Sequence, residues 1–287
     1  MVSLTQRAPR SFSLFTWGRR VPHEVQVGTV VVAVIALAAL LAPVIAPYDP
    51  NRPDVLSALE APSGVHWMGT DDVGRDVFSR VLFGTRTDLL VVLAVTVISF
   101  TVGTLLGTVA GYFGRWADTA ISRVGDTVVA FPFLVVILAI VAILGVGTFS
   151  VCLGIVLVGW AFYARLARTE MLALREQEFV PASRALGYTN GRIILRHVLP
   201  NAVQPGLIYA TMDSVSSLVA LAAMSYLGFG AQPPTADLGS IIAGGQPYLL
   251  SAWWICTLPA LLLVALGIGV GLIGDGLTGR EYDGAGR

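Results

Sequence analysis

The residues best suited to chemistry in this sequence are a histidine and several acids that lie between positions 66 and 80. His66 is followed within ten residues by three aspartates, and such side chains can bind divalent metal ions. Sequence spacing alone does not bring them to one point, and Arg75 and Arg80 stand among them. We therefore predict a turn-rich, hydrogen-bonded segment in which the arginines pair with nearby aspartates, and no metal site. The aspartates are Asp71, Asp72 and Asp76.

A second ionisable residue stands alone in an apolar stretch. Asp213 is the only charged residue clearly inside one of the long hydrophobic segments, 204–228. A charge within a membrane span is costly and often functional, so a pore-facing Asp213 could contact an amino group or another cation. A residue that reaches water near the helix end is an equally good interpretation, because Asp213 lies about three turns from Pro200. Asp213 is thus a possible substrate-path residue.

Motifs of familiar catalytic chemistry are missing from the sequence. The chain has no GxxxxGK[ST] phosphate-binding loop and no lysine at all, so it cannot be its own ATPase by that route. It also lacks HExxH, GxSxG and a cysteine–histidine pair. Cys152 and Cys256 fall in separate apolar segments, where each is expected to be a small buried residue. We predict that the chain is not an enzyme and binds no cofactor itself.

The composition places the elements that carry these residues in a membrane. Of 287 residues, 55% are hydrophobic and only 13% are charged. Several uncharged stretches reach the roughly 20 residues that a helix needs to cross a bilayer. The prediction is an all-α integral membrane protein with six transmembrane helices and one further short piece at 238–250. The predicted spans are 25–46, 89–112, 127–145, 149–165, 204–228 and 254–274.

Two glycine patterns organise these spans. No charge occurs from 127 to 164, and Gly145-Val146-Gly147-Thr148 in its middle predicts a tight hairpin between two helices. Gly103, Gly107 and Gly111 form a row of small residues on one helix face. Such a row favours close packing against a second helix.

Arginine placement predicts the orientation of the chain. Six spans put both termini on one side, and 14 of the 18 arginines lie on that side. Positive loops stay in the cytoplasm, so the termini are predicted to be cytoplasmic. The resulting division is a cytoplasmic tail at 1–24, transmembrane helix 1 at 25–46, an extracytoplasmic loop at 47–88, a five-helix core at 89–274 with a cytoplasmic loop at 165–202, and a cytoplasmic tail at 275–287.

The 165–202 loop holds an ordered, charged segment, EFVPASRALG, at 178–187. Pro181 can begin a short helix and Gly187 can end it. Thr189 or Asn190 can cap the next helix. A long loop with these signals favours a rigid element that docks into another protein, and the alternative is a plain connecting loop with solvated charges.

Four segments of the chain resemble the permease subunits of ABC importers. EFVPASRALGYTNGRIILRHVLPN looks like their EAA loop, with Pro181 and Ser183 as departures from the usual residues. HWMGTDDVGRDVFSRVLFGTRTDL resembles the signature of the dipeptide, oligopeptide and nickel permease subfamily, in its "C" subunit type. GYFGRWADTAISRVGDTVVAFP and SYLGFGAQPPTADLGS are similar to further segments of that subfamily.

The resemblance implies a type I ABC-importer permease fold with a cytoplasmic coupling helix that sits in a cleft of an ATP-binding subunit. The implied coupling residues are Glu178, Phe179, Pro181, Ala182, Ser183, Arg184, Ala185, Leu186 and Gly187. It also implies that the extracytoplasmic signature helps to meet a solute-binding protein. The implied docking residues are Gly69, Asp71, Gly74, Arg75 and Asp76.

The function implied by the resemblance is ATP-driven import of di- or oligopeptides across the bacterial cytoplasmic membrane. The implied partners are a homologous second permease, two cytoplasmic ATP-binding subunits that carry ATP and magnesium, an extracytoplasmic solute-binding protein and membrane lipid, without nucleic acid. One alternative keeps this architecture but imports nickel, a metal chelate or glutathione. Others are a secondary transporter, which would need internal repeats and intramembrane charges, and a non-transporting scaffold, which would not need the 178–187 element.

Overall fold

The protein is described by a computed structural model over residues 22–177, 185–194, 196 and 199–285. Within these residues the regular structure is helical, and no β-strand forms. The helices are α1 (His23–Leu40), α2 (Ala42–Ile45), α3 (Val77–Phe113), α4 (Arg115–Val129), α5 (Phe133–Leu144), α6 (Thr148–Arg175), α7 (Asn190–Ile193), α8 (Leu199–Ala202), α9 (Gln204–Tyr226), α10 (Leu238–Gly245) and α11 (Trp254–Ala285), with short 3-10 turns at Val55–Ser57 and Gln246–Tyr248.

Five of these helices are long and apolar enough to cross a membrane: α1, α3, α6, α9 and most of α11. A sixth span is present if α4 and α5 are taken together, although the pair is bent by 90°. The predicted all-α membrane architecture is confirmed: five single helices can each cross a membrane, and the bent pair gives the sixth span when it is counted as one. Within the described part, the predicted tail 1–24 is represented only by its last three residues, and 286–287 lie outside it.

The longest helix, α3, joins the two ends of the molecule. Its 37 residues extend about 55 Å, well beyond the roughly 30 Å of a hydrocarbon core. It begins at Val77, twelve residues before the predicted start at 89, because the Asp76 side chain accepts the backbone N–H of Ser79 and caps the helix there. The loop predicted at 47–88 therefore ends at 76.

The predicted span at 127–145 is wrong as a single helix. The chain turns at Gly114 to start α4, and Pro132 then separates α4 from α5. α4 carries four charged residues, and its buried residues are Ala117 and Gly125. This amphipathic helix ends in three uncharged residues, 127–129. The uncharged run continues into α5, so charge gives no sign that one helix ends and another begins. α5 itself has only 12 residues.

The glycine row on α3 packs against α6, as predicted. A methyl group added at Gly103 would meet the carbonyl of Trp160, and one at Gly107 would meet the carbonyl of Ala164. At Gly111 it would lie 2.6 Å from the Cβ of Met171. The helices can approach this closely only because the three positions lack side chains.

The hairpin and the C-terminal region complete the bundle. The predicted hairpin between α5 and α6 is confirmed, with Gly145 and Gly147 both at positive φ. α10 is a short helix inside the predicted 238–250 piece, and a capping box formed by Asp237 and Ser240 starts it. α11 contains Pro259 and continues past the predicted end at 274, so the region predicted as a tail is helical to Ala285.

Candidate functional site

The loop between α6 and α9 contains the predicted coupling segment. α6 ends at Arg175, ten residues beyond the predicted end of that span at 165. Two residues of the segment are exposed helix and turn, Ala185 and Leu186, and Leu186 is 74% exposed. Gly187 follows with φ of 81°, a conformation that favours glycine at the end of a short helix. The predicted coupling residues Glu178, Phe179, Pro181, Ala182, Ser183 and Arg184 lie outside the described residues.

Both flanks of this segment are tied to the end of α3. Before it, the Arg175 guanidinium donates to the carbonyl of Gly111 at 3.1 Å. After it, the Asn190 side-chain oxygen accepts the Tyr112 hydroxyl at 2.7 Å. Tyr112 also packs with the fully buried Met171 in one apolar cluster. The described part of the loop is therefore fixed on α3 and α6 at two points that flank the 178–187 segment.

Ion pairs connect the C-terminal part of α6, residues 165–175, to α4. The Arg168 guanidinium forms a two-pronged pair with Asp118, and its Nη2 lies 2.7 Å from Asp118 Oδ2. Arg165 pairs with Asp126 at 3.1 Å. The Arg168–Asp118 pair is partly buried and has the bidentate geometry that makes such pairs specific. A displacement of the C-terminal part of α6 would thus act on α4 as well as on α3.

At the opposite end of α3, the 47–76 loop is organised around Asp71. Its Oδ1 accepts the backbone N–H groups of Val73 and Arg75, at 3.1 and 2.9 Å. Its Oδ2 pairs with Arg75 Nε at 2.7 Å and with Arg80 Nε at 3.5 Å. Arg80 donates further to the carbonyl of Pro50 at 3.1 Å. The predicted hydrogen-bonded turn with arginine–aspartate pairs is confirmed.

His66 belongs to the same network and is engaged by one carboxylate. Its Nδ1 lies 2.9 Å from Asp76 Oδ1, and the other oxygen of Asp76 accepts the N–H and hydroxyl of Ser79. Among the described residues, no three histidine, cysteine or acidic side chains converge in a way that could hold a metal ion. His66 and Asp76 therefore lock the loop onto the start of α3.

The predicted docking residues are mostly interior to this loop. Gly69, Asp71, Gly74 and Asp76 are buried, and Arg75 is partly exposed. Gly74 has φ of 79°, and a methyl group there would meet the carbonyl of Asp54. These buried residues fix the shape of the loop, whereas its exposed surface is formed by other residues. The exposed large hydrophobic side chains of this loop are Tyr48, Val55, Leu56, Val65 and Trp67. Contact with a binding protein stays a prediction.

Asp213 lies on α9 against α6. Its Oδ2 accepts the Tyr163 hydroxyl at 2.8 Å, and Tyr163 is completely buried. The Tyr163 ring contacts Tyr209 edge to face at 5.1 Å between centroids, and Phe162 stacks on Tyr209 at 6.3 Å. Asp213 itself is only partly buried. Its side chain therefore lies beside a group of aromatic rings at the contact of α6 and α9, and a role in the substrate path stays a prediction.

Asp88, in the N-terminal third of α3, is a buried acid whose contact was not predicted from the sequence. Asp88 is 1% exposed, and its Oδ2 accepts the backbone N–H of Leu238 at 3.1 Å. It thereby holds the first turn of α10, whose cap is the neighbouring Asp237. Asp88 stands just before an apolar stretch, where a charge is ordinary, so the local sequence gives no signal of this contact.

Comparison with known proteins identifies the class that these features define. Residues 103–279 match the family described as the binding-protein-dependent transport system inner membrane component. Residues 25–62 match the N-terminal transmembrane domain of oligopeptide transport permease C. The first match covers more than half of the chain, and the chain belongs to this family.

Individual relatives and a solved structure agree with this class. The chain is 37% identical over 251 residues to the dipeptide transport system permease protein DppC of Alkalihalophilus pseudofirmus, covering 88% of this chain and 83% of that protein. It is 37% identical over 248 residues to the probable D,D-dipeptide transport system permease protein DdpC of Escherichia coli, covering 86% and 83%. An inward-facing MetNI methionine ABC transporter structure shares the fold with a TM-score of 0.54 at 22% identity, covering 69% of this chain and 94% of that one. The chain is thus a multi-pass inner-membrane permease with the fold of ABC-importer permeases.

Proposed function

We propose that this chain is the transmembrane subunit of an ATP-driven importer for di- or oligopeptides. The observation that carries the proposal is the similarity over 88% of the chain to a permease named for dipeptide transport. In the proposed assembly, a second permease, two cytoplasmic ATP-binding subunits and an extracytoplasmic solute-binding protein complete the importer. ATP and magnesium bind to the ATP-binding subunits, and this chain hydrolyses nothing.

In the proposed mechanism, the 178–187 segment is the coupling helix. Its described end, Ala185–Gly187, is exposed and is held between two anchors on α3. Nucleotide-driven closure of the ATP-binding subunits would push this segment, and the anchors and the Arg168–Asp118 pair would pass the displacement to α3, α6 and α4. The spans would then alternate between outward-open and inward-open states, whose populations the loaded binding protein and ATP shift.

The proposed orientation places the coupling loop and both termini in the cytoplasm. Support comes from the arginines, of which 14 of 18 lie on that side. The solute-binding protein would then meet the 47–76 loop, with the buried residues Gly69, Asp71, Gly74 and Asp76 fixing the shape of the surface and Arg75 partly exposed on it. Asp213 is proposed to line the substrate path.

The test is ATP hydrolysis by the complex rebuilt in lipid with partner subunits encoded beside this chain. The loaded binding protein is added with a peptide mixture, with nickel, with metal chelates or with glutathione. Peptides alone are expected to stimulate hydrolysis over the rate with empty binding protein. The matched control is the same complex in which the ATP-binding subunits cannot hydrolyse ATP.

Stimulation by nickel, a chelate or glutathione alone would contradict the peptide proposal and leave the importer mechanism in place. A failure of any ATP-binding subunit to associate with this chain would contradict the importer proposal as a whole.

A further inference from the structure

Asp213 is the centre of an aromatic–carboxylate cluster, formed by Phe162, Tyr163, Tyr209 and Asp213. Tyr163 donates to the carboxylate, and the three rings are in mutual contact through Tyr209. Phe100 of α3 supports Tyr163 from behind, edge to face at 5.7 Å. The cluster therefore joins one acidic group to aromatic faces at the contact of α6 and α9.

The charge of Asp213 has no cationic partner among the described residues. Two arginines of α6 pair with other acids: Arg168 with Asp118 and Arg165 with Asp126. The buried acids Asp88 and Asp237 accept backbone N–H groups. The one hydrogen bond donated to Asp213 comes from a neutral phenol. A carboxylate at membrane depth is costly without a compensating positive charge, so a transient cation is the partner that this site lacks.

The cluster is open on one side. Tyr209, Met212, Asp213 and Ser216 follow each other at helical spacing on one face of α9. Met212 is 42% exposed, Ser216 is exposed, and Phe162 is 36% exposed. A molecule that moves along this face of α9 can therefore reach the carboxylate without displacing a helix of this chain.

We propose that the aromatic–carboxylate cluster binds the primary ammonium group of the transported solute, as found at a free peptide amino terminus. A carboxylate gives such a group a charge-assisted hydrogen bond, and aromatic faces attract it through their quadrupole. A divalent metal would need several oxygen or nitrogen ligands, whereas within the described residues the cluster supplies one carboxylate. This inference deepens the proposed function and rests on it.

The experiment compares peptides that differ only in the ammonium group. The complete importer in vesicles takes up a tripeptide with a free amino terminus or the same peptide acetylated there, each at a concentration that saturates the binding protein. Asp213→Asn keeps the shape and the hydrogen bond from Tyr163 but removes the charge. Because the binding protein is unchanged, any altered preference arises in the permease.

The expected result is that Asp213→Asn lowers uptake of the free peptide about tenfold, as loss of a partly desolvated charge pair predicts, and leaves uptake of the acetylated peptide unchanged. Tyr209→Leu, which removes a ring, should weaken the preference. Asp275→Asn makes the same chemical change at an exposed position of α11 and should not alter it.

Two results would overturn the inference while the proposed function stands. Equal losses for both peptides in Asp213→Asn would mean that the residue only holds α6 and α9 together. Unchanged uptake of both would mean that the solute does not contact it. Uptake of neither peptide by the unmodified importer, with active ATP hydrolysis, would instead overturn the peptide function and this inference with it.

Discussion

At the residue scale, the backbone conformation of Gly187 limits which amino acids can occupy that position of the coupling segment. Its φ is 81°, and a side chain added there would meet none of the described residues within 4 Å. As far as these residues are concerned, the restriction at this position is conformational. A β-branched residue at such a φ is an outlier, whereas asparagine adopts it several times more readily than most residues.

Replacement of Gly187 by valine is expected to reduce peptide uptake by about tenfold, because the left-handed conformation of a non-glycine residue costs about 1–3 kcal/mol. Gly187→Asn should keep most of the activity. Uptake by vesicles that contain the whole importer, normalised to the inserted amount of this chain, is the measurement.

Gly191→Val is the matched control, since none of the described residues lies within 4 Å of a methyl group added at Gly191 and its φ is not positive. Equal uptake by Gly187→Val and Gly191→Val would show that the conformation at 187 is irrelevant to transport.

Residue contacts were predictable where the partners are close in sequence. Arg75 and Asp71 are four positions apart, so their pairing could be expected, and it is present. The contact of Asp88 with Leu238 spans 150 positions and depends on how α10 returns to α3. Burial of Asp71 was likewise not predictable, because it follows from the fold of the whole 47–76 loop around it.

At the element scale, the crossing of α3 and α6 is the contact that brings the functional residues together. The closest approach is at Gly107, where an added methyl group would meet the carbonyl, carbonyl carbon and Cα of Ala164. These are backbone atoms and cannot turn aside. The same two helices hold Tyr163, Arg168 and the anchors of the coupling loop.

Gly107→Ala is expected to lower the free energy of unfolding by about 1–3 kcal/mol, as overpacking of a tight contact typically does. Thermal unfolding of the purified chain in detergent is the measurement. Gly271→Ala is the control, because a methyl group added at Gly271 in α11 would meet no atom of the part of the chain that the structure describes within 4 Å, and it should leave the stability unchanged or slightly raised.

A midpoint for Gly107→Ala at or above that of the original protein would contradict the close crossing.

The sequence predicted which elements exist better than where they bend. The glycine row and the hairpin at Gly145–Thr148 carry local signals, and both are present. Pro132 is also a local signal, for a break between two helices. The uncharged run that crosses it nevertheless has the hydropathy of a single span. Whether a helix crosses or lies along the bundle depends on what its buried face meets, and for α4 this is α6.

At the scale of the whole molecule, α3 connects two different working ends. Its first turns pack with Trp254 and the 47–76 loop, and its last turn holds the coupling loop through Tyr112 and Gly111. A helix about 55 Å long is able to carry a displacement between them. Six spans and the class of fold were predictable from hydropathy and motifs, whereas the length of α3 was not, because its first turns are polar and resemble a loop.

Two exposed leucines mark these ends and allow a direct measurement. Leu186 lies beside the contacts that hold the coupling loop on the last turn of α3. Leu250 lies shortly before Trp254, which packs on the first turns of α3. A photoreactive benzophenone amino acid is placed at either position in the complete importer, and the crosslinked partner is identified after illumination. We expect position 186 to crosslink to an ATP-binding subunit and position 250 not to do so. Crosslinking of the ATP-binding subunit at 250, or at neither position, would contradict the claim that the 178–187 segment couples this permease to ATP hydrolysis.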